Sequence, residues 1–183
     1  KPLVAFVVIC AFLRLGGLSM LESFYPILLK GMGYSTTAIG MLFAIGNLTS
    51  SPSVLVASKW TRLVGSERQA LVVAVALAIA GITMAPLLHS FWMLAIGMAI
   101  YGFGLGVSMP IIFTLLSSGI AADSQGLTAG VRATANRLAS VVLPIAMGVV
   151  AQLSNVTGAF WIVGGVLLAV SWLTERYYRN SVA

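Results

Sequence analysis

The sequence predicts an all-α integral membrane protein of six transmembrane helices, and three observations predict it. Apolar residues make up 60% of the 183 and charged residues only 8%, against about a quarter charged in a soluble domain. The mean hydropathy of +1.05 excludes disorder and exceeds what a water-soluble fold of this size can bury. The apolar runs reach 19 residues or more without polar alternation, so they read as helices rather than barrel strands.

The spans follow in order. Span one covers residues 2–29 and is interrupted by Arg14 and Glu22. Gly31-Met32-Gly33-Tyr34-Ser35 forms a turn. Span two covers residues 37–57, and residues 58–69 form a polar loop holding Lys59, Arg62, Glu67 and Arg68. Span three, residues 70–88, carries no charge. His89-Ser90 is so short a break that spans three and four form an antiparallel hairpin. Span four covers residues 91–117, and Asp123 and Gln125 sit in the next turn. Span five covers residues 126–153 with Pro144 inside it, and Ser154-Asn155-Val156-Thr157-Gly158 is a turn. Span six ends before Glu175, and Tyr177 and Tyr178 fit an interfacial aromatic belt.

Charge sets the orientation. Lys1, Lys59, Arg62, Arg68, Arg132, Arg137, Arg176 and Arg179 fall on one side and Lys30 on the other. Such a split puts both termini on the cytoplasmic side, here expected to be that of a bacterial inner membrane. The net charge of +6 is scattered and points to lipid rather than to nucleic acid. The single cysteine, Cys10, excludes an internal disulfide and reads as a small buried residue. A start at Lys1-Pro2 leads us to expect a cut chain. Asn155-Val156-Thr157 is a glycosylation sequon on the outer side, relevant only in a secretory host.

An internal repeat is also visible. Leu15-Gly16-Gly17-Leu18-Ser19-Met20 aligns with Gly104-Leu105-Gly106-Val107-Ser108-Met109, and the same offset pairs Phe24 with Phe113 and Asn47 with Asn136. Repeats of about 1–89 and 90–183 hold three helices each, so they have opposite orientations in the bilayer. The glycines of spans one and four either permit close helix packing or, with Pro26 and Pro110, loosen helices that bend.

These motifs resemble the C-terminal six-helix half of a major facilitator superfamily transporter. Gly31-Met32-Gly33-Tyr34-Ser35-Thr36-Thr37-Ala38-Ile39-Gly40 resembles the G-y-s-x-x-x-i-G start of the eighth helix in such proteins. Residues 58–68, with Lys59, Arg62, Gly65 and Arg68, resemble a degenerate copy of the basic loop motif G-x-x-x-D-R-x-G-R-R. Residues 126–138, followed by Pro144 and Gly148, resemble the start of the eleventh helix. Thr61 stands in place of the motif's Asp, and Gly65 lies one residue too far along. The resemblance implies one half of that fold, whose absent N-terminal half, or a second copy, supplies the other wall of a substrate path.

Candidate pathway residues follow from cost. A charge at the bilayer centre costs about 3 kcal/mol or more, so it faces protein or water. Arg14 and Glu22 lie about 12 Å and 80° apart on a straight helix, and each needs its own partner. Arg14 contacts an anionic substrate or makes a structural pair. Glu22 shares a stripe with Ser19, Ser23 and Pro26, and either exchanges protons or lines a solvated wall. Tyr25, Asn47, Tyr101, Ser108 and Asn136 complete the set, the two amides being read as buried between helices. Arg132 and Arg137 snorkel to headgroups.

The expected function is half of a secondary transporter moving a small solute by alternating access, proton-coupled, with efflux as one direction. The alternatives are an interaction module without transport and a self-dimerising half. An enzyme is not expected. The only His, His89, lies at a loop, so no membrane serine protease or metal site is assembled. No cofactor is expected beyond a proton gradient.

Overall fold

A computed structural model describes residues 2–118 and 125–180. Lys1 and Asp123 lie outside the described residues, as do the side chains of Arg132 and Arg179. Among the described residues eight α-helices occur in chain order: α1 (Pro2–Ser19), α2 (Tyr25–Gly31), α3 (Thr36–Ser53), α4 (Ala57–Val64), α5 (Glu67–Thr83), α6 (Phe91–Ser118), α7 (Gln125–Leu153) and α8 (Val156–Asn180). They build six helices of membrane-spanning length and composition among the described residues: Leu3–Gly31, Thr36–Val64, Glu67–Leu87, Phe91–Ser117, Ala129–Leu153 and Val156–Tyr178. The all-helical expectation therefore holds.

Three details differ from it. The first span is not one straight helix, because a π-helical turn at Met20–Phe24 separates α1 from α2. The expected polar loop over 58–69 is mostly helix. A single 3₁₀ turn at Val54–Val56 carries α3 into α4, which runs on to Val64. Gly65 then ends the helix at φ 87°, a left-handed conformation that costs a residue with a Cβ about 1–2 kcal/mol. Two residues later α5 has begun. The turn at 154–158 is likewise shorter. Asn155 accepts from the Gly158 amide through Oδ1 at 2.6 Å and opens α8 as its N-cap.

Helix packing rests on small residues. On α6, a Cβ at Gly102 or Gly106 would run into the backbone oxygens of Gly46 and Ser50 on α3. The offset is constant, so α3 and α6 run parallel. A second face of α6 meets α5, where Gly97 opposes Gly81 and Gly104 opposes Ala74 and Ala78. Here positions rise on one helix as they fall on the other, and the hairpin is antiparallel as expected. These glycines serve close approach, which lets backbones gain dispersion contact where lipid provides no hydrophobic drive. α1 packs against α5, α7 and α8, and α5 also against α8.

The two ends of the bundle are tied. Tyr34 donates to the His89 carbonyl at 3.0 Å, joining the turns after the first and third spans. At the opposite end the rings of Phe6 and Tyr178 meet edge-on at 5.1 Å, so the first and last helices reach that end together. Trp60 Nε1 donates to the Ala70 carbonyl at 3.0 Å and pins α4 to α5 there.

Candidate functional site

Arg14 sits three turns into α1, half-buried. Its Nε donates to Ser108 Oγ on α6 at 3.1 Å. Ser108 is fully buried, and its own proton goes to the Leu105 carbonyl at 2.9 Å. The hydroxyl thus accepts from a cation and donates to a carbonyl, a charge-assisted relay that holds the guanidinium in place.

Tyr101, two turns before Ser108 on α6, is buried with its ring beside Gly17, which Ile79 of α5 also approaches. A Cβ at Gly17 would lie 3.8 Å from the Tyr101 ring, so that glycine forms the ring's seat on α1. The Tyr101 hydroxyl has no hydrogen-bond partner among the described residues, and it lies in the fields of both Arg14 and Glu22.

Glu22 is exposed on the π turn. A π turn closes i→i+5 and takes in more residues than an α turn. Each residue is therefore rotated less, and Glu22 comes back towards the face that carries Arg14. The separation of about 80° belongs to a regular α-helix and not to this one. The turn contains Met-Leu-Glu-Ser-Phe, with neither Gly nor Pro to announce it.

The other candidates fall in different places. Ser19 is buried at the end of α1, directly before the π turn. Tyr25 is buried with its ring edge-on to Phe43 at 6.0 Å. Asn47 is exposed and not between helices. Its neighbour Gly46 is the residue turned towards α6, and one residue further on the helix faces away by about 100°. Asn136 is half-buried on α7, and its Oδ1 has no partner among the described residues. Arg14 and Ser108 are therefore joined at the α1–α6 junction with Tyr101 buried two turns away on α6, while Glu22 is exposed on the π turn that follows α1. Gly17 is the residue here that residue types alone did not single out. Gly17 faces the Tyr101 ring while Gly16 faces Leu167 on α8.

At the Gly65 end, Lys59 and Arg62 are exposed on α4, while Arg68 is half-buried in the first turn of α5. Thr61 donates its hydroxyl to the Ala57 carbonyl at 3.0 Å within its own helix, and so supplies no charge where the motif carries Asp. A cleft of about 310 Å³ lies beside it, lined by Ser58, Thr61, Glu67, Pro110 and Thr114 among others.

A larger groove of about 600 Å³ between α1, α7 and α8 is lined wholly by apolar side chains, from Val8 and Phe12 to Val166 and Val170. Polar groups that could grip a solute are thus gathered at the α1–α6 junction rather than in this groove.

Comparison with curated proteins gives no match. The family model described as Major Facilitator Superfamily matches residues 7–183. Its coverage takes in the first span from residue 7, the other five spans and the α1–α6 polar group. The chain belongs to the Major Facilitator Superfamily, a family of membrane transporters.

Proposed function

We propose that this chain is one half of a secondary active transporter that moves a small solute by alternating access and uses a proton gradient. The observation that carries this reading is the pair of ionisable residues in the first span. Arg14 is anchored on Ser108 while Glu22 is exposed on a π turn. Charged groups inside membrane spans mark ion and substrate paths, and π turns gather at functional sites. Glu22 is the proton-exchanging carboxylate, and Arg14 fixes the local field and meets an anionic part of the solute.

The other wall of the path is a second six-helix unit, either an N-terminal half or another copy. The bundle divides near residue 89 into two inverted triplets. This division is supported by reciprocal packing, in which the first helix of each triplet meets the second and third helices of the other. The charge pattern favours the Gly65 end as cytoplasmic, with both termini on that side of a bacterial inner membrane. Transport rather than catalysis is the activity, and no cofactor takes part.

In the assembled transporter, Glu22→Gln should abolish gradient-driven flux in proteoliposomes while solute exchange without a gradient persists. Gradient-driven flux at the unsubstituted rate would sink the coupling role of Glu22.

A further inference from the structure

Tyr101 is 2% exposed, and its hydroxyl is buried without a partner among the described residues. A buried phenol left unpaired costs about 1–3 kcal/mol. Such an orphan calls for a partner that arrives in another state of the molecule. A solute cannot reach the oxygen in this conformation, because the atom has essentially no accessible surface. A flexible side chain of the neighbouring helix can.

Glu22 is that side chain. It lies five residues beyond Gly17, on which the Tyr101 ring rests. On a regular α-helix it would point about 140° from Gly17, but the π turn at Met20–Phe24 reduces that angle.

Other charges are remote. α3 and α6 contain none between Thr36 and Ser53 or between Phe91 and Ser118. α5 presents Ile79 at Gly17, α8 presents Leu167 at Gly16, and α7 presents Gly148 at Phe24. The charged positions of these helices, 67 and 68, 175, 176 and 179, and 132 and 137, lie eight or more residues from those contacts, about 12 Å or more along the helix. Lys30 is exposed eight residues beyond Glu22, and the nearby titratable ring of Tyr25 is packed on Phe43. Among the described residues, Arg14 and Glu22 are the charged groups whose fields reach the Tyr101 hydroxyl.

We propose that Tyr101 is the positioning residue for the protonated state of Glu22. On gaining a proton the carboxyl turns inward and hydrogen-bonds the Tyr101 hydroxyl; on losing it the carboxylate returns to the exposed face. The only covalent change is one O–H bond on the carboxyl, formed with a proton from the aqueous path and broken when that proton leaves. A carboxylate does not make the inward move, since burying its charge costs far more than one hydrogen bond returns. The neutral acid pairs with a phenol that is both donor and acceptor. The inward position is thus reserved for the loaded carboxyl, which separates proton binding from proton release in space. The inference rests on Glu22 being the proton-exchanging group.

Infrared difference spectra of the full chain in phosphatidylcholine vesicles, taken between acid and alkaline pH, test it. The acid carbonyl band missing from Glu22→Gln belongs to Glu22. In Tyr101→Phe this band should move to higher frequency, and the proton affinity of Glu22 should fall about fivefold, the worth of one hydrogen bond. In the unsubstituted protein a tyrosine C–O band should shift with the same midpoint, and this shift should vanish in Glu22→Gln. That second measurement does not depend on the Tyr101 variant folding. An unchanged Glu22 band in Tyr101→Phe, or no tyrosine shift, overturns the Tyr101 assignment and leaves Glu22 as the proton site. Identical spectra for the unsubstituted protein and Glu22→Gln overturn the proton site itself.

Discussion

Arg14 donates from Nε to the hydroxyl of Ser108, 3.1 Å away and 94 residues later in the chain. This hydrogen bond therefore joins the first and fourth spans. The guanidinium enters the bundle because its partner is already oriented by the Leu105 carbonyl.

Replacing Ser108 by Ala removes that acceptor and leaves the donor in a half-buried site. Stability should fall by about 1 kcal/mol, between the average for interhelical bonds in membranes and that for bonds to charged groups in water. Reversible unfolding in bicelles measures it. A double variant in which Arg14 is also replaced by Met should recover part of the loss, because the donor that lost Ser108 is gone.

Gly102 and Gly106 face α3 so closely that a single methyl at either position meets backbone oxygen. Gly102→Ala should therefore cost about 2 kcal/mol or more, the price of overpacking where neither neighbour can give. Gly130 on α7 has nothing within 4 Å of such a methyl, so Gly130→Ala should stay within about 0.5 kcal/mol of the parent. Thermal melts of the two variants in the same detergent check the contrast. Equal melting temperatures would contradict the packing described for α3 and α6.

Topology gives a third test. With cysteine placed at position 30 or 62 in a chain whose Cys10 is replaced by Ala, a membrane-impermeant maleimide added to intact cells should label Lys30→Cys. It should label Arg62→Cys only after the membrane is opened. The reverse pattern would invert the orientation drawn from the charges.

The spans were legible because hydropathy integrates over about 19 residues, and no local detail can hide such a run. Their ends were not. Ser58-Lys59-Trp60-Thr61-Arg62 reads as loop by polarity, yet a helix leaving the bilayer keeps its backbone hydrogen bonds while its side chains turn polar. The π turn was illegible for a different reason: Met20–Phe24 has ordinary helix-forming residues, with neither Gly nor Pro to mark it. The partner of Arg14 was also hidden, since the internal repeat aligns Ser108 with Ser19 and gives no reason to look towards residue 14. The exposure of Asn47 could have been read. Gly46, Ser50 and Ser53 form a small-residue stripe at i, i+4 and i+7, and a residue one position off that stripe points elsewhere.

The contact of Gly102 and Gly106 with α3 bears on motion as well as stability. Where backbone touches backbone there are no long side chains to shear past one another. Helices so engaged translate as a single beam, and α5 is joined to the same beam through Gly97 and Gly104. Sliding of these three helices past one another is then disfavoured, and bending falls to segments outside the frame. The π turn at Met20–Phe24, a local break from regular α-helix, lies outside that stiff frame.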